Sequence, residues 1–133
     1  DCLGYRVIVK NIERLADHAA RIARDVIEFK KPINGKTYDK LKEMSDYTLN
    51  LVDDACLSMF KQNTQEAEEV IDSASKVFKY EKKILDTIKS SKNPEEIYRV
   101  RKVVENLRRT SEYGGDIGEI VLNTNIEKMI KKK

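Results

Sequence analysis

Histidine, cysteine, proline and glycine are all scarce in this chain, and each scarcity excludes something. The one histidine, His18, rules out a three-His zinc site and a His-based catalytic triad. It also rules out a ferritin-like di-iron centre, which draws a Glu-x-x-His pair from each of two helices. The two cysteines, Cys2 and Cys56, lie neither in a CxxC motif nor beside a histidine. They read as reduced thiols of a reducing compartment. Five glycines and two prolines in 133 residues leave few breaks in any periodic segment. No apolar run approaches the ~20 residues of a membrane span, and no signal peptide is visible. A phosphate-cradling loop after a strand is missing, as is a nucleophile beside a base, so an enzyme is not expected. The chain opens at Asp1 without an initiator methionine, which reads as a fragment of a longer protein.

What is abundant is charge. Lys, Arg, Asp and Glu make up 37% of the chain, yet 26 basic against 23 acidic residues leave a net charge of only +3. Such composition suits long helices in one domain spanning residues 1–133. The near balance, with lysines spread along the helices and offset by acids, argues against direct nucleic-acid contact. The Lys-rich end, residues 126–133, reads as a frayed, flexible tail from about residue 125. Rich Lys and Glu content also hints at a thermophilic source.

Periodicity predicts four helices. The first, about Tyr5 to Lys30, carries Tyr5, Ile8, Ile12, Leu15, Ala19, Ile22, Val26 and Phe29 at alternating spacings of three and four, the mark of one buried helical face. Pro32 and Asn34-Gly35 end it. The second, about Thr37 to Lys61, buries Leu41, Met44, Thr48, Leu51, Val52, Ala55 and Met59. Asn63, with Glu66 three residues on, is an N-cap signal. The third helix then runs to about Lys89 with Ala67, Val70, Ala74, Val77, Glu81, Ile84 and Ile88 in line. Asn93-Pro94-Glu95-Glu96 opens the fourth, which continues to about Asn123. Helices of similar length joined by short connections predict an all-α, antiparallel up-down four-helix bundle. Fusion of the second and third helices into a three-helix arrangement is the alternative.

The first and last helices echo each other at an offset of 95 residues: Arg6, Val9, Asn11, Arg14, Ile22 and Val26 match Arg101, Val104, Asn106, Arg109, Ile117 and Val121. Shared apolar positions follow from amphipathicity, but the Asn and Arg matches do not, so a duplication is expected. Two acidic pairs sit within this echo. Glu13 and Asp17 stand one turn apart on the flank of the first stripe, and Glu112 and Asp116 repeat the Glu-x-x-x-Asp spacing. Like charges so placed repel unless a cation lies between them, which makes a metal site conceivable. The bland alternative is a solvated face on which Asp17 pairs with Arg21 and Glu13 with Lys10. Glu119 extends the second acidic row, and Arg108, standing where the first helix has Glu13, is placed to neutralise it. His18 reads as a boundary residue with a local partner. Gly114, Gly115 and Gly118 are expected to face Ala19, Ala20 and Ala23 and permit close helix approach.

The segment Asn11-Ile12-Glu13-Arg14-Leu15-Ala16-Asp17-His18-Ala19 resembles the signature of the PhoU family of phosphate-uptake regulators, an E-R-(I/L)-x-D-H-A run around Glu-x-x-x-Asp. Residues 108–117 resemble the family's second repeat as archaeal-type members carry it. Members usually hold two three-helix repeats, each closed by its motif helix. The resemblance therefore implies a PhoU-like bundle made of the last helix of repeat one plus all of repeat two. It implies a non-enzymatic, cytoplasmic adaptor whose partners are the phosphate ABC-transporter ATPase or the sensor kinase, and a homodimer. It further implies metal ligation, by a divalent ion, iron or zinc, through Glu13 and Asp17, with Glu112 and Asp116 as the second-repeat candidates. Arg108 departs from the family pattern where Glu is expected. The alternative function is a helical dimerisation module of a larger transcription regulator, of the kind fused to an AbrB-like domain.

Overall fold

The computed structural model describes residues 2–27, 29 and 32–132, and side chains from residue 5 onward. Among them every regular element is helical: α1 (Cys2–Ile27), α2 (Gly35–Lys61), α3 (Thr64–Ser75), α4 (Phe78–Ile88) and α5 (Pro94–Lys131). The expected end of the first helix, Lys30, lies outside the described residues, as does the side chain of Cys2. Local chemistry sets the starts. The Asn63 side chain accepts from the Glu66 N–H at 3.1 Å, and Asn93 accepts from the N–H groups of Glu95 and Glu96 at 3.1 and 3.4 Å. These are the caps the sequence announced. Asn34 acts differently from expectation. It does not close the helix before it but caps α2, accepting from the Lys36 N–H at 2.8 Å. Gln62 takes the left-handed conformation, φ 51°, that turns the chain from α2 into α3.

The expected third helix is two helices, broken at Lys76-Val77. In a continuous helix the Ser73 carbonyl would accept the Val77 N–H. Instead the Tyr47 hydroxyl donates to that carbonyl at 2.8 Å, the Lys76 N–H closes back onto it, and the Val77 N–H turns to Ala74. Bonds to the third residue back tighten the chain into a short turn. α5 overruns its expected end and stays helical to Lys131, with the side chains of residues 126–132 exposed.

α5 packs against each of the other four helices. Touching residues run in the same order along α2 and α5: the Thr48 hydroxyl meets that of Ser111 at 3.0 Å, and Asn125 Nδ2 donates to the Gln62 carbonyl at 3.1 Å. They run in opposite order along α3–α4 and α5, where Ala67 lies at Gly118, Ala74 at Gly115 and Glu81 at Arg108. The core divides into two clusters. Met44, Val77, Ile84, Ile88, Val100, Val103, Val104 and Leu107 fill one. Leu51, Ala55, Val70 and Ile117 fill the other.

The glycines of α5 serve this core, not the contact with α1. A Cβ added at Gly115 would lie 3.0 Å from Ala74 Cβ, and one at Gly118 only 2.9 Å from the Ala67 carbonyl oxygen. Small residues on α5 therefore admit α2 and α3, while Ala19, Ala20 and Ala23 on α1 face solvent.

α1 rests on α5 along a face that takes in half of the expected stripe, Ile8, Leu15, Ile22 and Phe29, and leaves the other half outside. Ile12 is 44% exposed, Val26 52% and Tyr5 71%. The buried positions are Asn11, His18 and Asp25, exposed by only 4 to 5%, interleaved with half-buried Ile8, Leu15, Ile22 and Phe29. The apolar spacing was real, but the polar line one position to its side shares the face turned to α5. The echo supplies the reason. At the 95-residue offset, Val104, Leu107, Ser111, Gly114, Gly115, Gly118 and Val121 of α5 are buried, whereas their counterparts Val9, Ile12, Ala16, Ala19, Ala20, Ala23 and Val26 are exposed. α1 thus carries the small-and-apolar face with which α5 seats α2 and α3, and among the described residues nothing covers it.

Candidate functional site

The α1–α5 contact sets a line of polar chemistry among its half-buried apolar residues. His18 Nδ1 lies 3.2 Å from Asn106 Oδ1. Asn106 Nδ2 donates to Asp25 Oδ2 at 2.9 Å. The other Asp25 oxygen is 3.2 Å from Lys102 Nζ. This chain of four side chains ties the helices together, and each buried polar group in it has a partner, as burial demands. The His18 ring also lies against Tyr113, centroids 5.3 Å apart, and the Arg14 guanidinium stands 5.6 Å over the same Tyr ring. His18 is therefore not a boundary residue with a local partner. Its partners are 88 and 95 positions away, and it is a structural member of the interface.

The expected acidic residues lie on the outer flanks of this contact. Glu13, Asp17, Glu112 and Asp116 are all exposed. Partial burial, then Glu119 and Glu112, push the Asp116 carboxyl above its ordinary range, and Arg14 offsets part of that rise. The acidic row on α5 is thus self-repelling and incompletely compensated. Arg108 does not neutralise it. Its Nε is buried without a hydrogen bond and has Glu81 of α4 as its nearest carboxylate, at 4.0 Å. Among the described residues no three His, Cys, Asp or Glu side chains gather closely enough to share a metal ion. The four acids therefore do not form a ready-made metal centre in this arrangement.

Catalytic equipment is likewise thin. The Cys56 thiol is half-buried, and burial, helped by Asp53, pushes it up from its ordinary range, the opposite of an activated nucleophile. No described helix is long and apolar enough to cross a membrane.

Residues 41–121 match the family profile of the PhoU domain. The chain belongs to the PhoU family. The match begins in α2 and ends at Val121, the last deeply buried residue of α5, so it frames the α2–α5 unit and leaves α1 outside. No curated protein and no solved structure matches the chain significantly. PhoU proteins are regulatory and not enzymatic, which assigns this PhoU domain a regulatory role in phosphate homeostasis.

Sequence reasoning missed Asn11, Asn106 and Asp25 as interface residues. A signal was available: Asn11, His18 and Asp25 recur every seven positions, the spacing of one helical face.

Proposed function

We propose that this PhoU domain is a non-enzymatic adaptor that restrains phosphate import when phosphate is plentiful, acting in the cytoplasm on a phosphate ABC-transporter ATPase or its sensor kinase. The observation that carries the reading is the uncovered face of α1. It matches in position the face with which α5 grips α2 and α3, with Ala19, Ala20 and Ala23 in place of the three glycines, so it is suited to seat other helices. In this reading the antiparallel up-down packing is one repeat of a PhoU-like bundle. α1 is the closing helix of a first repeat. The same face favours the second reading, a helical dimerisation module of a larger regulator, since exposed apolar patches mark association surfaces.

One experiment separates the two. Phosphate uptake is measured in cells lacking the full-length gene, then restored with the parent or with Ile12→Glu/Ala19→Glu, both exposed positions. Uptake is expected to stay high in phosphate-replete deletion cells, to fall with the parent and to stay high with the variant. Uptake indifferent to the deletion sinks the adaptor reading. Parent protein that sediments as a dimer and variant that sediments as a monomer, with uptake control intact in both, establishes the dimerisation module instead.

Glu13, Asp17, Glu112 and Asp116 are the positions at which we propose to test metal ligation, by a divalent ion, iron or zinc. Exposed carboxylates in pairs would need further ligands from water or a partner to complete a coordination shell. Elemental analysis is expected to find stoichiometric metal in protein purified with divalent ions, and none in Glu13→Ala/Asp17→Ala. Equal metal content in the two proteins removes Glu13 and Asp17 as ligands, and none in either removes all four.

A further inference from the structure

The two ends of the α1–α5 contact are related by the internal repeat, yet they differ sharply in charge. At one end lies an open cleft of about 390 Å³ between the C-terminal half of α1 and the first half of α5, bordered by Arg21, Arg24, Lys102 and Arg109. Its two acids are committed. Asp25, with a side chain 6% exposed, is held by Lys102 and by the Asn106 amide, and Glu105 is held by Arg109 at 2.8 Å. Arg21 and Arg24 are exposed, and among the described residues no salt bridge takes up either one.

At the 95-residue offset Arg21 corresponds to Asp116 and Arg24 to Glu119. The opposite end of the contact therefore presents acids where this end presents guanidinium groups, with Lys10 and Arg14 in the places of Glu105 and Arg109. The repeat shows that the fold accepts acids at these two positions. The guanidinium groups are thus no requirement of the helix pairing.

We propose that this cleft is a binding site for a small phosphate-bearing anion. Guanidinium groups present planar forks of donors that match phosphate oxygens, and the ammonium adds a point charge. Arg21 and Arg24 of α1 supply the uncommitted charge for a tetrahedral dianion, and Lys102 and Arg109 of α5, already paired with Asp25 and Glu105, stand beside it. The buried Asp25–Asn106–His18 chain fixes the two helices that carry them. Inorganic phosphate fills part of the cleft, and a nucleoside monophosphate, with the same phosphate group, has room there as well. The proposal does not depend on the adaptor reading, and its test involves no transporter.

The test is titration calorimetry at fixed ionic strength on the parent, on Arg21→Asp/Arg24→Glu, which copies the acidic residues of α5, and on the neutral Arg21→Gln/Arg24→Gln. Far-UV circular dichroism confirms that each is folded. The probes are inorganic phosphate, adenosine monophosphate, sulfate and acetate. Saturable one-to-one binding of phosphate or of the nucleotide is expected, weakened at least about tenfold in the neutral variant and abolished in the acidic one. A nucleotide that binds while inorganic phosphate does not identifies the nucleotide as the source of the phosphate group, and the reverse identifies the free ion. No saturable binding up to about 10 mM, acetate binding as tightly as phosphate, or affinity unchanged in the folded acidic variant overturns the site.

Discussion

Gly118→Val is expected to be among the most damaging substitutions in the chain, costing about 3 kcal/mol of stability by the usual scale of overpacking. A first carbon at this position already meets the Ala67 carbonyl oxygen at 2.9 Å and Ile71 Cγ1 at 3.1 Å. The oxygen belongs to the backbone of α3, so relief requires moving a helix and not a side chain. Valine adds two further carbons to the same gap. The better helix propensity of valine returns only a few tenths of a kcal/mol. Gly35→Ala provides the contrast. Nothing lies within 4 Å of a Cβ there, and the position does not need positive φ. That change is expected to stabilise by about 0.4 to 1 kcal/mol through the unfolded chain. Urea unfolding followed by circular dichroism reads both. A Gly118→Val midpoint equal to that of the parent would mean that α3 and α5 are not in contact as described.

The glycines show which parts of the fold the sequence could disclose. Three small residues on one helix announce a close approach, and the approach is there. They do not say which helix approaches, because every amphipathic helix offers an apolar face and the pairing is a tertiary choice. The caps at Asn63 and Asn93 were legible because capping is local: the side chain and the N–H groups it satisfies lie within three residues. The break in the middle of the expected third helix was not legible, because at the break the Ser73 carbonyl is shared with the hydroxyl of Tyr47, 26 positions away. Local helix propensity through Lys76 and Val77 gives no warning of it.

Half of the α1 stripe departs from expectation for a related reason. Apolar surface drives burial, and in α5 the residues corresponding to Ile12, Ala19 and Val26 are buried. In α1 nothing covers that half among the described residues, and the flanking polar line, with Ile8, Leu15 and Ile22, makes the contact with α5. The candidate acids were legible as residues and as spacings. Their failure to converge was not, since convergence depends on how the two helices rotate about their own axes.

Asn106→Leu is expected to cost about 2 to 4 kcal/mol, although leucine is close in size and suits a helix better. The asparagine side chain satisfies two buried groups at once, His18 Nδ1 through its oxygen and Asp25 Oδ2 through its amide. Leucine leaves both inside the contact without a partner, and an orphaned buried polar group costs about 1 to 3 kcal/mol, more when charged. Lys102 remains beside Asp25 and limits the loss. The same reasoning predicts strong non-additivity. Leucine at His18, Asp25 and Asn106 together removes the polar groups along with their partners, so the triple change should cost less than the sum of its single changes. It should also make the α1–α5 seam resemble the apolar seams of α5 with α2 and α3. Chemical unfolding of the three single variants and the triple variant measures this directly. Single losses that sum to the triple loss would mean that the three side chains act independently and that the chain His18–Asn106–Asp25 is not a unit. A coupled loss would show why polar residues recur every seven positions on α1: a polar line can pair only with a partner that completes its hydrogen bonds. It thereby holds α1 to α5 in one register and leaves the apolar face of α1 turned outward.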